Sequence, residues 1–222
     1  MLPVIKMFSR TRMNDIPFRR DKHILSGGMI SNLIVKGNNI PNGFVVTAEA
    51  FRIYLKENNL KIPLLKILSQ LDTKTFLNLA ETGKAARQLI LENELPHKLA
   101  VEIKNAHYTL CGEDTNVSVT VHGTATTPEF PFSRLTLQLE SFLNIRDEDA
   151  LINAVHKCFA SLFGDKAICY RQQHGFGNAD IAISMIVAKV ARTTPSSSNT
   201  AFTPHTLFGS DEVVLSRLEK AR

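Results

Sequence analysis

The sequence has no apolar run long enough to cross a bilayer. Its longest, around 181–190, is interrupted by Ser184 and Lys189, whereas a spanning helix needs about 20 consecutive apolar residues. The opening stretch MLPVIKMFSRTR lacks the continuous apolar core and small-residue cleavage site of a secretory signal. The default expectation is therefore cytoplasmic, with no membrane partner. Cysteine is scarce: Cys111, Cys158 and Cys169 are odd in number and lack metal-site spacing. Reduced thiols are expected, with Cys158 and Cys169 among apolar helical neighbours. Aromatic residues make up 7% of the chain and are not interleaved with basic ones as base-stacking surfaces require, which argues against nucleic acid.

What is present is a 222-residue chain of ordinary hydrophobicity with net charge +5, enough for one large domain or two small ones. Base is concentrated early: Lys6, Arg10, Arg12, Arg19, Arg20 and Lys22 stand against Asp15 and Asp21. Such an end suits an anionic ligand and equally a solvated, frayed terminus. The first structured stretch is expected at GGMISNLIVKG, a short helix with Met29, Ile30, Leu33 and Ile34 at helical spacing. FVVT reads as a buried strand and TAEAFRIYLKENN as a helix burying Phe51, Tyr54 and Leu55. From Ile62 to Leu110 the pattern is helical throughout, divided at Asp72-Thr73 and at Pro96. RDEDALINAVHKCFASLFG is the clearest helix, with acidic residues in its first turn and a stripe of Leu151, Val155, Phe159 and Leu162. DKAICYRQQHG reads as a further helix, SFLNI as a short strand and DIAISMIVAKVAR as a long one. TTPSSSNT is a hinge before the short strands AFT and EVVL, and SRLEKAR reads as a charged tail.

Between these elements lies VSVTVHGTATT, residues 117–127. Val117, Val119 and Val121 alternate as in a strand, and a run of small and hydroxyl side chains follows. A strand leading into small residues presents backbone N–H groups to phosphate in many proteins, yet this one holds no Lys, Arg or carboxylate.

Two long blocks, GGMISNL…IPNGFVVTAEAF and ESFLNIRDEDALINAVHKCFASLFGDKAICYRQQHGF, closely resemble the N-terminal nucleotide-binding domain of phosphoenolpyruvate synthases (pyruvate, water dikinases), which are related to pyruvate phosphate dikinase. The resemblance runs from about Met13 to the C-terminus. It implies an ATP-grasp-like α+β fold holding ATP between two subdomains. Residues 1–192 would form the first, with a helical segment 47–111 inside it, and 193–222 an incomplete second. Full-length relatives are expected to add a swivelling phosphohistidine domain and a pyruvate-binding barrel.

The same resemblance exposes departures. The family's lysine in a Gly-Gly-Lys turn corresponds to Lys22, but the glycines are Arg20 and Asp21, which hinder close phosphate approach. The family reads Val-Arg-Ser-Ser-Ala-Thr-Ala-Glu-Asp at the strand end. Here its arginine is Thr120, its acidic pair is Thr126 and Thr127, and only Thr124 and Ala125 survive. The following Gly-rich flap is replaced by FSRLTLQL, where Arg134 is an alternative cation. The family's adenine contacts are largely to backbone, and they would fall at Lys189 and Val190. His122 beside Gly123 shows no acidic partner in its loop, and His156, His174 and His205 read as surface or capping residues. The implied nucleotide-binding set is thus Lys22, Thr124, Lys189 and Val190, with no catalytic residue. Mg²⁺ is implied by the family, but its ligands would lie beyond Arg222. The expectation is a degenerate, truncated ATP-binding domain, inactive alone, whose partners are a nucleotide and the remaining domains of a synthase or an intact synthase. The alternatives are a non-catalytic nucleotide- or partner-binding module and a decaying gene product.

Overall fold

The computed structural model describes residues 3–8, 42–114, 117–126, 139–175, 181–190, 198–202 and 214–218. By internal contacts the chain divides into Met1–Val190 and Ala191–Arg222. The first unit holds a five-stranded antiparallel sheet built from β1 (Ile5–Met7), β2 (Gly43–Val46), β3 (Val119–Thr126), β4 (Ser141–Ile145) and β5 (Ala182–Lys189). Their order in the sheet is β1-β2-β5-β3-β4. The helix expected at GGMISNLIVKG lies outside the described residues. Strand β1 falls where sequence showed only a basic terminus. Its register, Ile5 opposite Val46 and Met7 opposite Phe44, supplies the ladder bonds that three residues could not make alone.

The helices are α1 (Ala48–Glu57), α2 (Lys61–Leu68), α3 (Leu79–Leu91), α4 (His97–Cys111), α5 (Glu148–Ser161) and α6 (Asp165–Gln173). Helix α5 forms as its sequence dictates. The Asp147 carboxylate accepts the Ala150 N–H at 2.7 Å, Glu148 and Asp149 occupy the positive end of the dipole, and Leu151, Val155, Phe159 and Leu162 are fully buried. The helix expected after the Asp72-Thr73 break begins only at Leu79. Asp72 captures the preceding turn: its carboxylate accepts the N–H groups of Lys74 and Thr75 at 2.9 and 3.1 Å and the Thr75 hydroxyl. Such local side-chain bonds offer the backbone an alternative to the helix, and Phe76 follows with φ 56°.

One face of the sheet carries the core. Phe44, Val46, Val119, Val121, Met185 and Val187 join the buried cluster made by the helices. Along β4 the alternation is interrupted by a bulge, with Val119 opposite Ile145 but Val121 opposite Phe142. Asn144 takes up the extra residue at φ 58°, a left-handed conformation that asparagine tolerates better than most residues. The second unit contains a hairpin of β6 (Ser198–Phe202) and β7 (Val214–Leu218). Ser216, Arg217 and Leu218, expected in a charged tail, pair with Thr200, Asn199 and Ser198.

Candidate site on the second face of the sheet

The helices occupy one face, so a ligand held by this sheet meets the other. Alternation assigns that face. Lys6, Val45, Ile186, His122 and Ser141 form one row across all five strands through their registered pairs. Gly43, Ala188 and Thr120 form the next row. The β1–β2 half of the face is closed. Phe8 and Val45 are buried there, and a Cβ built on Gly43 would sit 2.8 Å from the Phe8 ring and against the Val187 carbonyl. Glycine at position 43 is what lets the Phe8 ring lie on the strand. Toward β3 and β4 the face opens, with His122, Ser141 and Leu143 exposed.

On this open half the imidazole of His122 and the hydroxyl of Ser141 meet, Nδ1 to Oγ at 2.9 Å. Sequence showed no partner for His122 because Ser141 is 19 residues away and strand pairing alone brings them together. Thr120 is half-buried opposite Ala188.

The other expected residues are spread out. Lys22 lies outside the described residues, as do Arg19, Arg20, Arg134 and His205. Thr124 is paired with Ser184, whereas Lys189 is paired with Val119. Five residues of strand, roughly 17 Å, therefore separate the two ends of the expected set. The Lys189 side chain shares the helix-side face with Val187. Its charge acts on Cys111, whose thiol is pushed up by burial while Lys189 opposes the shift. The backbone donors at this end are already engaged: the Lys189 N–H donates to the Asn42 carbonyl at 3.0 Å and the Val190 N–H to the Ser118 carbonyl at 2.9 Å. What remains there for a base is carbonyl oxygen.

His156, expected at the surface or as a cap, reaches the Ile90 carbonyl at 2.8 Å. His174 caps α6 and stacks on Tyr170 with centroids 4.1 Å apart. Cys158 is buried, its thiol pushed up to about 12 by desolvation, while Cys111 and Cys169 are half-buried. Among the described residues no group of three or more His, Cys, Asp or Glu is arranged to hold a metal ion. No described helix is long and apolar enough to cross a membrane.

The chain is 37% identical over 209 residues to the phosphoenolpyruvate synthase of Neisseria meningitidis, covering 93% of this chain and 26% of that protein. With the phosphoenolpyruvate synthase of Escherichia coli it shares 34% identity over 212 residues, 96% of this chain and 27% of the relative. A probable phosphoenolpyruvate synthase of Methanocaldococcus jannaschii is 36% identical over 167 residues, 74% of this chain and 14% of the relative. The chain thus spans about a quarter of the length of the bacterial relatives. A family described as pyruvate phosphate dikinase, AMP/ATP-binding domain, matches residues 26–218, a span that includes β2 to β7 and all six helices, and the chain belongs to that family.

Proposed function

We propose that this chain binds an adenine nucleotide on the second face of its five-stranded sheet, as the ATP-binding portion of a phosphoenolpyruvate synthase. The family reaction, ATP-dependent phosphorylation of pyruvate to phosphoenolpyruvate, requires more than these residues provide. The observation that carries the reading is the match to an AMP/ATP-binding domain across 26–218, together with the exposed His122, Ser141 and Leu143 on the β3–β4 half of the second face. We read 1–192 as the first subdomain of an ATP-grasp-like fold and 193–222 as the incomplete start of the second, acting in the cytoplasm. Lys22 and Thr124 would serve the phosphates, and the backbone at Lys189 and Val190 the adenine, through carbonyls accepting from its amino group.

Binding should be weak. A charge-assisted phosphate contact is worth about 1.5–3 kcal/mol, and threonine replaces the family's arginine at position 120. Loss of two or three such contacts weakens affinity by several powers of ten. ATP, ADP and AMP should therefore bind with similar, low affinity, and pyruvate should not stimulate ATP turnover by this chain alone. Calorimetric titration with each nucleotide, with and without Mg²⁺, tests the binding. A tight, Mg²⁺-dependent preference for ATP, or pyruvate-dependent phosphate release abolished by Lys22→Ala, would overturn the degenerate-site reading.

A further inference from the structure

On the basis of that nucleotide-binding reading, we infer that His122, oriented by Ser141, is the contact for a nucleotide phosphate on the open half of the sheet. His122 stands on β3, the fourth strand across the sheet, with an exposed side chain. Its row neighbour on β5 is Ile186, which can neither donate to nor neutralise an anion. The Ser141 hydroxyl fixes the ring at 2.9 Å through Nδ1. That bond has a chemical consequence because a hydroxyl both donates and accepts. In the neutral tautomer with its proton on Nε2, the Ser141 O–H donates to Nδ1; in the imidazolium, Nδ1–H donates to Oγ and Nε2 again carries a proton. Either form presents Nε2–H, which makes no hydrogen bond among the described residues, and a bound phosphate oxygen selects these forms over the Nδ1–H tautomer. An oriented N–H donor with its other nitrogen fixed by a partner is suited to a phosphate oxygen. Thr120 lies two residues back on the same strand face and Leu143 two residues beyond Ser141 on β4. The donor therefore sits beside a hydroxyl and an exposed apolar side chain, surroundings that fit a phosphorylated nucleoside better than free phosphate.

The inference is tested by calorimetry with adenosine, AMP, ATP and inorganic phosphate on the full chain. Wild type should bind AMP and ATP at least about tenfold more tightly than adenosine, and His122 should supply about tenfold of that, the worth of one charge-assisted contact. Inorganic phosphate should bind less well than AMP. His122→Ala should cut the AMP-over-adenosine preference about tenfold while leaving adenosine affinity unchanged, and His122→Gln, which keeps a donor, should retain part of it. Ser141→Ala should lower AMP affinity severalfold by freeing the ring. Because both side chains are exposed, melting temperatures of the variants should match wild type, which separates loss of contact from loss of fold. If wild type distinguishes AMP from adenosine and His122→Ala does so by the same ratio, the inference fails while nucleotide binding stands. If wild type binds none of the nucleosides or nucleotides, the binding reading itself fails, and the inference with it.

Discussion

Replacing Tyr54 by Phe probes the polar node that joins three helices beneath the sheet. Tyr54 of α1 is fully buried, and its hydroxyl donates to the Ile90 carbonyl of α3 at 2.6 Å, with the Asn93 carbonyl at 3.2 Å. His156 of α5 places Nε2 at 2.8 Å from the same Ile90 carbonyl and 3.4 Å from the Tyr54 hydroxyl. A carbonyl only accepts, so Nε2 carries the ring proton and the phenol oxygen accepts any share of it. Ile90 also receives the Asn93 N–H at 3.2 Å. Its carbonyl belongs to the last turn of α3, where the helix itself provides no partner. Removing the Tyr54 hydroxyl therefore costs one net hydrogen bond, about 1–1.5 kcal/mol. It does not orphan the carbonyl, which keeps His156 and Asn93. At roughly 2–4 °C per kcal/mol for a chain of this size, the melting temperature should fall by about 2–6 °C. Tyr54→Phe combined with His156→Ala strips both side-chain donors from one acceptor, so the double variant should cost about 0.5–1 kcal/mol more than the sum of the singles. Urea unfolding followed by circular dichroism gives these differences, provided the m-values stay constant. A Tyr54→Phe cost above about 3 kcal/mol, the signature of an unpaired buried carbonyl, or strict additivity of the double variant, would refute the shared-acceptor account.

Two further perturbations address backbone approach and buried charge. Gly43→Ala places a Cβ against the Val187 carbonyl and 3.0 Å from Ala188 Cα, where backbone cannot yield. It should cost about 3 kcal/mol, the upper end of overpacking, whereas Gly112→Ala, in open space but at φ 65° and ψ −146°, should cost about 1–3 kcal/mol through backbone strain alone. A Gly43→Ala cost under about 1 kcal/mol in a thermal melt would contradict the contact reading of Gly43. Arg171 is fully buried on α6. Its Nη1 donates to the Leu162 carbonyl at 2.5 Å, its guanidinium lies 5.9 Å from the Phe163 ring centroid, and its Nε and Nη2 have no hydrogen-bond partner among the described residues. Desolvation pulls it down to about 10, which places roughly 3 kcal/mol against the fold while the group is charged. Because the folded state releases this proton more readily than the unfolded one, that cost is complete below about pH 10 and is relieved only as pH rises above it. Arg171→Met removes the charge and keeps much of the volume, so it should change stability by less than about 1.5 kcal/mol. Arg171→Ala, which leaves a cavity and an unpaired Leu162 carbonyl, should destabilise by about 3–5 kcal/mol. Equal losses in chemical denaturation would show that the charge itself, rather than the packing, is needed.

The parts of the molecule readable from sequence are those with a local period. The α5 stripe, its acidic first turn and the alternation of β3 and β5 are properties of neighbours three, four or two residues apart, so a linear pattern contains them. The same holds for the blocks that carry the family resemblance, since scaffold positions are constrained by packing at fixed spacing. Tertiary structure decided the rest. Strand β1 is too short and too basic to announce itself, and it exists because β2 offers an unpaired edge. The Asp72 turn replaced a helical start because one carboxylate satisfied two backbone donors at once. Which face of the sheet a residue occupies is likewise set by pairing: it turned Lys189 toward Cys111 and the helices, away from Thr120. It also set His122 beside Ser141 across two strands. Periodicity specifies that a strand forms, but the hydrogen-bonded register between distant segments specifies which side chains meet.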